Sequence, residues 1–167
     1  MGLTKRAYSR SGNAPTVLGE SNMSEIVLRT ATILDFDGVL RLLPQLWPDK
    51  ELNRDALQEV FARGIGSSSE AYFCAETEGK IVGFCSLSVK NSLWQEGYIG
   101  YVLELVVDSS LRGQGIGTNL LRLAVSLAKE KDCRRIELDS AFHRKEAHRF
   151  YEGIGFENRA YVFSMRL

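Results

Sequence analysis

The pattern of apolar and polar positions along the chain predicts short strands separated by helices. Strands are typically short apolar or β-branched runs, whereas an amphipathic helix repeats an apolar residue every three or four positions. Five strand-like runs occur at residues 26–29, 71–77, 81–89, 98–107 and 135–138. A final strand pair is predicted around residues 159–167.

Helical spacing occurs in four segments between these runs. Asp35 is predicted to cap the first helix, and Asn53 is predicted to cap a second helix that Gly64 stops. The third helix follows a glycine-rich stretch. Its apolar stripe consists of Ile116, Leu120, Ala124 and Leu127. The fourth helix is predicted over residues 145–154 and ends before Gly155.

The order β-α-α-β-β-β-α-β-α-β predicts an α/β fold, in which helices cover both faces of a central mixed sheet. Residues 78–80 are typical of a hairpin turn between the second and third strands. Gly83, inside the third strand, indicates either a bulge or the close approach of another backbone.

The length of 167 residues and mass of 18.7 kDa predict a single domain with a substantial core. Residues 1–22 are rich in Ser, Gly, Asn and Arg and show no periodicity. We interpret them as a tail, either an upstream extension or a remnant of expression, with an arm that packs on a neighbouring subunit as the alternative. The domain is then predicted to cover residues 23–167.

Charge and cysteine use narrow the function classes. A formal net charge of zero argues against a nucleic-acid partner, and no apolar run approaches the length of a membrane span. Cys74, Cys85 and Cys133 stand singly, which favours free thiols in a cytoplasmic protein. A bridge between Cys74 and Cys85, which fall in adjacent predicted strands, is the alternative.

The stretch from Leu111 to Thr118 carries the strongest chemical signal. It follows the apolar strand that ends at Val107, and it opens the third helix, predicted over residues 119–131. A glycine-rich loop at a helix N-terminus presents bare N–H groups to phosphate, and Arg112 adds a fixed charge. The stretch has neither the lysine of a Walker loop nor the glycine spacing of a dinucleotide fingerprint. It is predicted to hold another diphosphate-bearing ligand.

Two blocks of the chain resemble the GNAT family of N-acetyltransferases. Arg112–Gly117, with the sequence RGQGIG, is similar to the acyl-CoA pyrophosphate loop of that family. Glu146–Phe156, which contains Ala-x-x-Phe-Tyr and a later Gly-Phe, is similar to its C-terminal helix block. The resemblance covers residues 26–167. Residues 143–151 and 161–167 further resemble the aminoalkylphosphonate N-acetyltransferase branch.

This resemblance implies the GNAT acyl-CoA N-acyltransferase fold and acetyl-CoA as co-substrate. In that fold the strand before the loop splays from its neighbour, and the pantetheine arm of the cofactor lies in the gap. Val106 and Val107 are expected to supply backbone N–H groups there, because the splayed strand of the family leaves a backbone donor free to hold the thioester carbonyl. The cofactor-binding residues implied are Leu105, Val106, Val107, Arg112, Gly113, Gln114, Gly115, Ile116, Gly117, Thr118, Arg144 and Tyr151.

Acetyl transfer from a thioester to an amine needs a neutral amine, a stabilised thioester oxygen and a tolerated thiolate. Glu104, between Leu103 and Leu105, is interpreted as the base that takes the amine proton. The alternatives are a structural acid, or a substrate that arrives partly deprotonated. Tyr151 matches the family tyrosine thought to protonate the thiolate, with a core aromatic beside Phe150 as the alternative.

Three residues near the second block need separate interpretation. Arg144 stands where the family usually has asparagine, three residues before Ala147, and is expected to reach a cofactor phosphate or an acidic substrate. His143 and His148 do not have the spacing of a standard ligand set, so no metal is predicted.

The sequence therefore predicts an acetyl-CoA-dependent N-acetyltransferase that acts on a primary amine of a small molecule by direct transfer. A cytoplasmic homodimer without nucleic-acid or membrane partners is expected. The alternatives are a non-catalytic acyl-CoA sensor and a protein or peptide N-acetyltransferase. The acceptor stays open among aminoalkylphosphonates, aminoglycosides, polyamines and amino acids. Trp47, Trp94 and Tyr98 are candidates for its walls, and core or interface positions explain them equally well.

Overall fold

A computed structural model describes residues 25–167 and contains a five-stranded sheet in the order β1-β2-β3-β4-β5. The strands are β1 Val27–Thr30, β2 Glu70–Thr77, β3 Lys80–Ser92, β4 Gly97–Val107 and β5 Cys133–Leu138. Strands β1 to β4 pair antiparallel, and β5 runs parallel to β4. The predicted mixed sheet is confirmed. The predicted tail, residues 1–22, lies outside the described residues.

Helices pack on both faces of this sheet, as predicted. They are α1 Phe36–Leu40, α2 Leu43–Leu46, α3 Arg54–Ile65, α4 Ile116–Glu130 and α5 Lys145–Gly153. Helix α4 covers one face, where Leu120 and Ala124 of its stripe are fully buried and Leu127 is partly buried. Helices α1 to α3 cover the other face, where the ring of Phe61 packs against that of Phe84. The predicted first helix is divided into α1 and α2.

The two predicted helix caps have different outcomes. Asn53 is confirmed, because its Oδ1 accepts the N–H of Ala56 at 3.0 Å. Asp35 precedes α1, but the prediction that it caps this helix is wrong, because its side chain makes no hydrogen bond to the helix. Its carboxylate instead accepts hydrogen bonds from the N–H of Thr32 and from both terminal nitrogens of Arg29, at donor–acceptor distances of 2.7 to 2.8 Å. Asp35 is only 8% exposed, and a buried carboxylate gains more from a guanidinium than from a helix amide.

Gly64 has a packing role rather than the predicted role of a helix stop. Helix α3 continues to Ile65, and Gly66 closes it. A Cβ on Gly64 would lie 2.0 Å from the hydroxyl oxygen of Tyr72 in β2. The glycine therefore lets the Tyr72 ring fit between α3 and the sheet.

The β2–β3 hairpin is confirmed, with Thr77 paired to Lys80 across a two-residue turn. Gly79 in that turn has φ 72°, the left-handed conformation that such turns require. The bulge predicted at Gly83 is also confirmed. The β2–β3 register shifts between the pair Ala75–Gly83 and the next pair, Glu76–Ile81. A Cβ on Gly83 would lie 2.9 Å from Cδ1 of Leu120, so the close approach comes from a side chain of α4 rather than from another backbone.

The predicted final strand pair is wrong. No strand lies beyond β5 in residues 139–167, and residues 157–167 are all exposed. The apolar side chains of Tyr161, Phe163, Met165 and Leu167 are exposed by 75% or more. A strand needs a neighbouring edge to satisfy its backbone groups, and this segment lies on none within the described chain.

The cysteines are free, and the predicted alternative of a bridge is not present. Cys74 and Cys85 are fully buried, and burial raises the pKa of both thiols to about 12. Cys74 belongs to the core beneath α1 to α3 and Cys85 to the core beneath α4, so their side chains point to opposite faces. No helix within residues 25–167 is long and apolar enough to cross a membrane.

Candidate active site

The pairing of β4 with β5 stops halfway along β4, where β5 ends, and leaves a gap in the sheet. Their pairing runs from Tyr98 with Cys133 to Val102 with Leu138, the last residue of β5. Strand β4 continues to Val107 and stays paired only to β3. The edge of β4 that faces away from β3 is therefore open from residue 103 onward, as the resemblance implied.

Backbone alternation shows which β4 amides point into this gap. The N–H of Asp108 donates to the carbonyl of Val82 in β3 at 2.9 Å, and the N–H of Glu104 also points towards β3. Successive residues of a strand point their N–H groups to opposite sides. The amides of Leu105 and Val107 therefore face the gap, while that of Val106 faces β3. The expectation that Val106 supplies an N–H to the gap is thus wrong, because alternation along the strand turns its amide to the paired side.

The glycine-rich loop lies at the end of this gap and leads directly into α4. Gly113 and Gly115 have φ of 79° and 80°, and nothing lies within 4 Å of a Cβ built on either residue. Gly115 is the N-cap of α4, so the helix begins at Ile116 rather than at Asn119. The first intrahelical bond runs from Asn119 to Gly115. The amides of residues 116–118 precede that bond and form a positive helix end open to an anion.

A cleft of about 800 Å³ runs along the gap, which is the size of a typical cofactor site. The structure brings most of the predicted cofactor residues to its walls. From β4 these are Leu105, Val106 and Val107; from the loop and α4, Arg112, Gly113, Gly115, Ile116, Gly117 and Thr118; from α5, Arg144 and Tyr151. Gln114 is not among the lining residues. Nε of Arg112 donates to the carbonyl of Val107 at 3.1 Å, which joins the loop to the strand.

Glu104 lies beside the cleft rather than in its wall, between the lining residues Leu103 and Leu105. Its carboxylate accepts a short hydrogen bond from the Ser86 hydroxyl. Burial raises the pKa of Glu104 above its ordinary value, and the Ser86 hydrogen bond opposes that change. The negative charge of Asp139, which does line the cleft, also raises it. The Glu104 carboxyl is therefore an acid of perturbed pKa close to the cleft.

Tyr151 projects from α5 into the cleft wall. Its ring packs against Phe150 and Phe156, with centroids 5.2 and 5.9 Å away. Burial raises the pKa of its phenol, so the hydroxyl stays protonated at neutral pH. Tyr151 therefore has a protonated hydroxyl, as the predicted acid requires, and its ring also packs as the core aromatic residue of the alternative interpretation.

Arg144 lies at the N-cap of α5 and joins that helix to α2. Its Nη2 donates a short hydrogen bond to the carbonyl of Leu46, which engages part of the guanidinium. His143 lines the cleft, and Nε2 of His148 lies 3.0 Å from the carbonyl of Ala141. The described residues hold no group of three or more His, Cys, Asp or Glu side chains arranged to bind a metal.

Several residues that the structure places at the cleft or beside it are not among the site residues predicted from the sequence. Asp139 and Ser140 follow the last residue of β5 and line the cleft. Their position at the carboxyl end of a parallel strand was a usable signal, because such ends carry binding residues. Ser86 is a buried polar residue between Cys85 and Leu87 in an apolar strand, which was a weaker signal.

The three aromatic residues suggested as acceptor walls do not line the cleft. Trp94 is 84% exposed in the β3–β4 connection, and Tyr98 is 46% exposed at the start of β4. Trp47 packs partly buried against the core beneath α1 to α3, and the Lys50 ammonium lies 5.1 Å from its ring. The alternative core position is thus the better description of Trp47.

Comparisons with known proteins agree with this architecture. The family model described as "Acetyltransferase (GNAT) family" matches residues 36–156. An aminoalkylphosphonate N-acetyltransferase from Salmonella typhimurium is 34% identical over 148 residues, with 89% of this chain and 96% of the relative covered. A glucosamine 6-phosphate N-acetyltransferase from Trypanosoma brucei brucei is 35% identical over 150 residues, with coverage of 88% and 98%.

A solved aminoglycoside N-acetyltransferase in complex with CoA superimposes with a TM-score of 0.76 at 20% identity, covering 89% of this chain and 98% of that one. At this identity the likeness shows the fold alone. The chain belongs to the GNAT acetyltransferase family and is by class an N-acetyltransferase.

Proposed function

We propose that the protein transfers an acetyl group from acetyl-CoA directly to a primary amine of a small molecule. One observation carries the proposal: the gap between β4 and β5 runs from a helix end open to an anion to a point beside a half-buried carboxylate, that of Glu104. The names of the two relatives given above, which match nearly the whole chain, describe N-acetyltransferases of small amines.

The donor is expected to lie along the cleft with its diphosphate at the N-terminus of α4. The amides of Ile116, Gly117 and Thr118 would bind the diphosphate oxygens, with Arg112 adding charge. Gly113, Gln114 and Gly115 would shape the loop, and the positive φ at both glycines lets the backbone approach without side chains. Arg144 would reach a phosphate with the donors that Leu46 does not engage.

The thioester carbonyl would accept a hydrogen bond from β4. The amides of Leu105 and Val107 face the gap, and both residues line the cleft. The side chain of Val106 lies in the buried core beneath α1 to α3, where it supports the strand. A fixed backbone donor at this point stabilises the negative charge that develops on the carbonyl oxygen.

Glu104 and Tyr151 would move the protons. As the amine nitrogen bonds to the acetyl carbon, the C–S bond breaks and the electron pair stays on sulfur. The amine proton passes through a water molecule to the Glu104 carboxylate, which lies beside the cleft and whose raised pKa makes it a stronger base. The thiolate takes a proton from Tyr151, whose raised phenol pKa keeps that proton available. No metal enters these steps.

We infer that two copies of the chain associate through the C-terminal segment 157–167. Its apolar residues are exposed, and β5 is the last strand of the sheet order, so its outer edge faces no strand of the described chain. A second copy could supply the missing edge. Light scattering should then give a mass twice the 18.7 kDa of one chain. The double variant Phe163→Ser with Met165→Ser should have the mass of a single chain. A monomeric wild-type protein would refute the dimer.

The cytoplasm is the proposed place of action, because the free thiols of Cys74 and Cys85 match a reducing compartment. Neither nucleic acid nor membrane is proposed as a partner, since the formal net charge is zero.

The test of function is release of free thiol from acetyl-CoA in the presence of single amines. The panel contains aminoethylphosphonate, glucosamine 6-phosphate, an aminoglycoside, a polyamine, an amino acid and a lysine peptide. Thiol release with at least one small amine, and stoichiometric N-acetyl product by mass spectrometry, is expected. Binding of CoA without release would favour the sensor, and release with the peptide alone would favour a protein N-acetyltransferase.

A further inference from the structure

Ser86 is a fully buried serine in the middle of β3, and its hydroxyl makes two hydrogen bonds to one residue. It donates to Oε2 of Glu104, and it accepts the backbone N–H of Glu104 at 3.0 Å. The hydroxyl therefore joins the carboxylate of Glu104 to its own main chain. A carboxylate held in this way has lost most of its rotamer freedom.

The regular pairing of β3 with β4 is interrupted at Ser86. Cys85 pairs with Leu105 and Leu87 pairs with Val102, so two residues of β4, Leu103 and Glu104, stand opposite Ser86 alone. In such a bulge the ladder is locally disrupted, and the side chain is aimed differently from its neighbours. Here the Ser86 hydroxyl accepts a hydrogen bond from the Glu104 N–H. The register shift also follows directly after Val102, the last β4 residue paired to β5.

We propose that Ser86 is a positioning residue for acetyl transfer, which fixes the Glu104 carboxylate beside the cleft and keeps it ready to accept the amine proton. The inference rests on the proposed function, because it supposes that Glu104 is the base. Ser86 has no exposed surface and acts only through Glu104.

The charges around Glu104 determine the direction of the expected effect. A hydrogen bond donated to a carboxylate favours its charged form, so the Ser86 hydroxyl lowers the pKa of Glu104. Loss of the hydroxyl should raise that pKa. The other groups that act on Glu104, or on which it acts, are Glu70 and Tyr72 of β2, Cys85 of β3, Asp139 after β5 and Lys50 before α3. None of them is changed by a substitution at Ser86.

The experiment measures kcat/KM for thiol release against pH, with acetyl-CoA and one amine, for the wild type, Ser86→Ala and Ser86→Thr. Ser88→Ala is the matched control: Ser88 lies two residues further along β3, is 6% exposed, and donates to Glu70 at 2.8 Å. The acidic limb of the profile should move to higher pH by about one unit in Ser86→Ala. It should stay at the wild-type position in Ser86→Thr, which keeps the hydroxyl, and should move less in Ser88→Ala than in Ser86→Ala, because Ser88 acts on Glu104 only through Glu70.

A further variant is needed because the larger threonine side chain can disturb the packing around the buried Ser86 position. Ser86→Cys has nearly the size of serine but a weaker donor, so its limb should move with that of Ser86→Ala. CoA affinity by calorimetry should change less than about twofold in each variant, because Ser86 does not line the cleft. If both Ser86→Ala and Ser86→Cys lost CoA binding, Ser86 would be a structural residue and the inference would be overturned.

Glu104→Gln separates this inference from the proposed function. If Glu104→Gln keeps the acidic limb, Glu104 is not the base, and both the assignment and the inference fail. If Glu104→Gln removes the limb while Ser86→Ala and Ser86→Cys leave it unmoved, only the inference fails. If the wild type releases no thiol with any amine, the proposed function itself is lost.

Discussion

Replacing Gly115 by aspartate and by asparagine tests the phosphate loop with two side chains of equal size and different charge. Gly115 has φ 80° and ψ 0°, and a Cβ there meets nothing within 4 Å. Neither substitution should therefore clash. Each should cost about 1–2 kcal/mol of backbone strain, and Asn and Asp tolerate this conformation better than other residues. The strain is common to both variants and cancels in their comparison.

The difference between the two variants is electrostatic. Two unit charges about 6 Å apart interact by roughly 3 kcal/mol at an effective dielectric constant of about 20. A carboxylate at the N-cap of α4 would face the diphosphate at about this distance. The aspartate variant should therefore bind CoA at least about a hundredfold more weakly than the asparagine variant.

Isothermal calorimetry with CoA measures both affinities, at low salt and at 0.5 M salt. The aspartate penalty should shrink at high salt, because the charges lie at the surface and are screened. The asparagine variant should bind CoA more weakly than the wild type, because its side chain stands where Gly115 lets the diphosphate approach, but by about the same factor at both salt concentrations. Equal CoA affinity of the two variants would refute the assignment of this loop to the diphosphate.

Three further predictions concern the acid, the packing of α3 and the acid stability of the fold. Tyr151→Phe should lower kcat about 10- to 100-fold and leave CoA affinity unchanged; unchanged turnover would remove the acid role. Gly64→Ala should lower the free energy of unfolding by about 1–3 kcal/mol, since its methyl group would overlap Tyr72, and a wild-type melting temperature would contradict this. The Asp35 pKa of about 2, held down by Arg29, should contribute about 2 kcal/mol of stability above pH 4 that is lost as pH falls towards 2. Denaturant titrations should show this loss, and Arg29→Met should remove that pH dependence.

Local signals in the sequence were sufficient for the parts of the fold that depend on neighbouring residues. The Glu78–Lys80 turn, the Asn53 cap and the left-handed Gly155, which has φ 99°, each follow from residues close in the chain. The gap between β4 and β5 came instead from the family resemblance, because nothing in the β4 sequence itself shows where its pairing stops.

Features set by distant residues were missed or wrong. Asp35 satisfies the residue preference for a cap, but Arg29 on β1 provides a stronger partner for its buried carboxylate. Ser86 and Glu104 are 18 residues apart and meet only because the β3–β4 register shifts there. The strands predicted around residues 159–167 have apolar residues typical of a sheet, but in the described chain this segment pairs with no strand.

The most direct measurement is a crystal structure of the protein with acetyl-CoA. We expect diphosphate oxygens within hydrogen-bonding distance of the Ile116 and Gly117 amides, and the thioester carbonyl next to the Leu105 or Val107 amide. A cofactor bound elsewhere, with the helix end of α4 free of phosphate, would contradict this expectation.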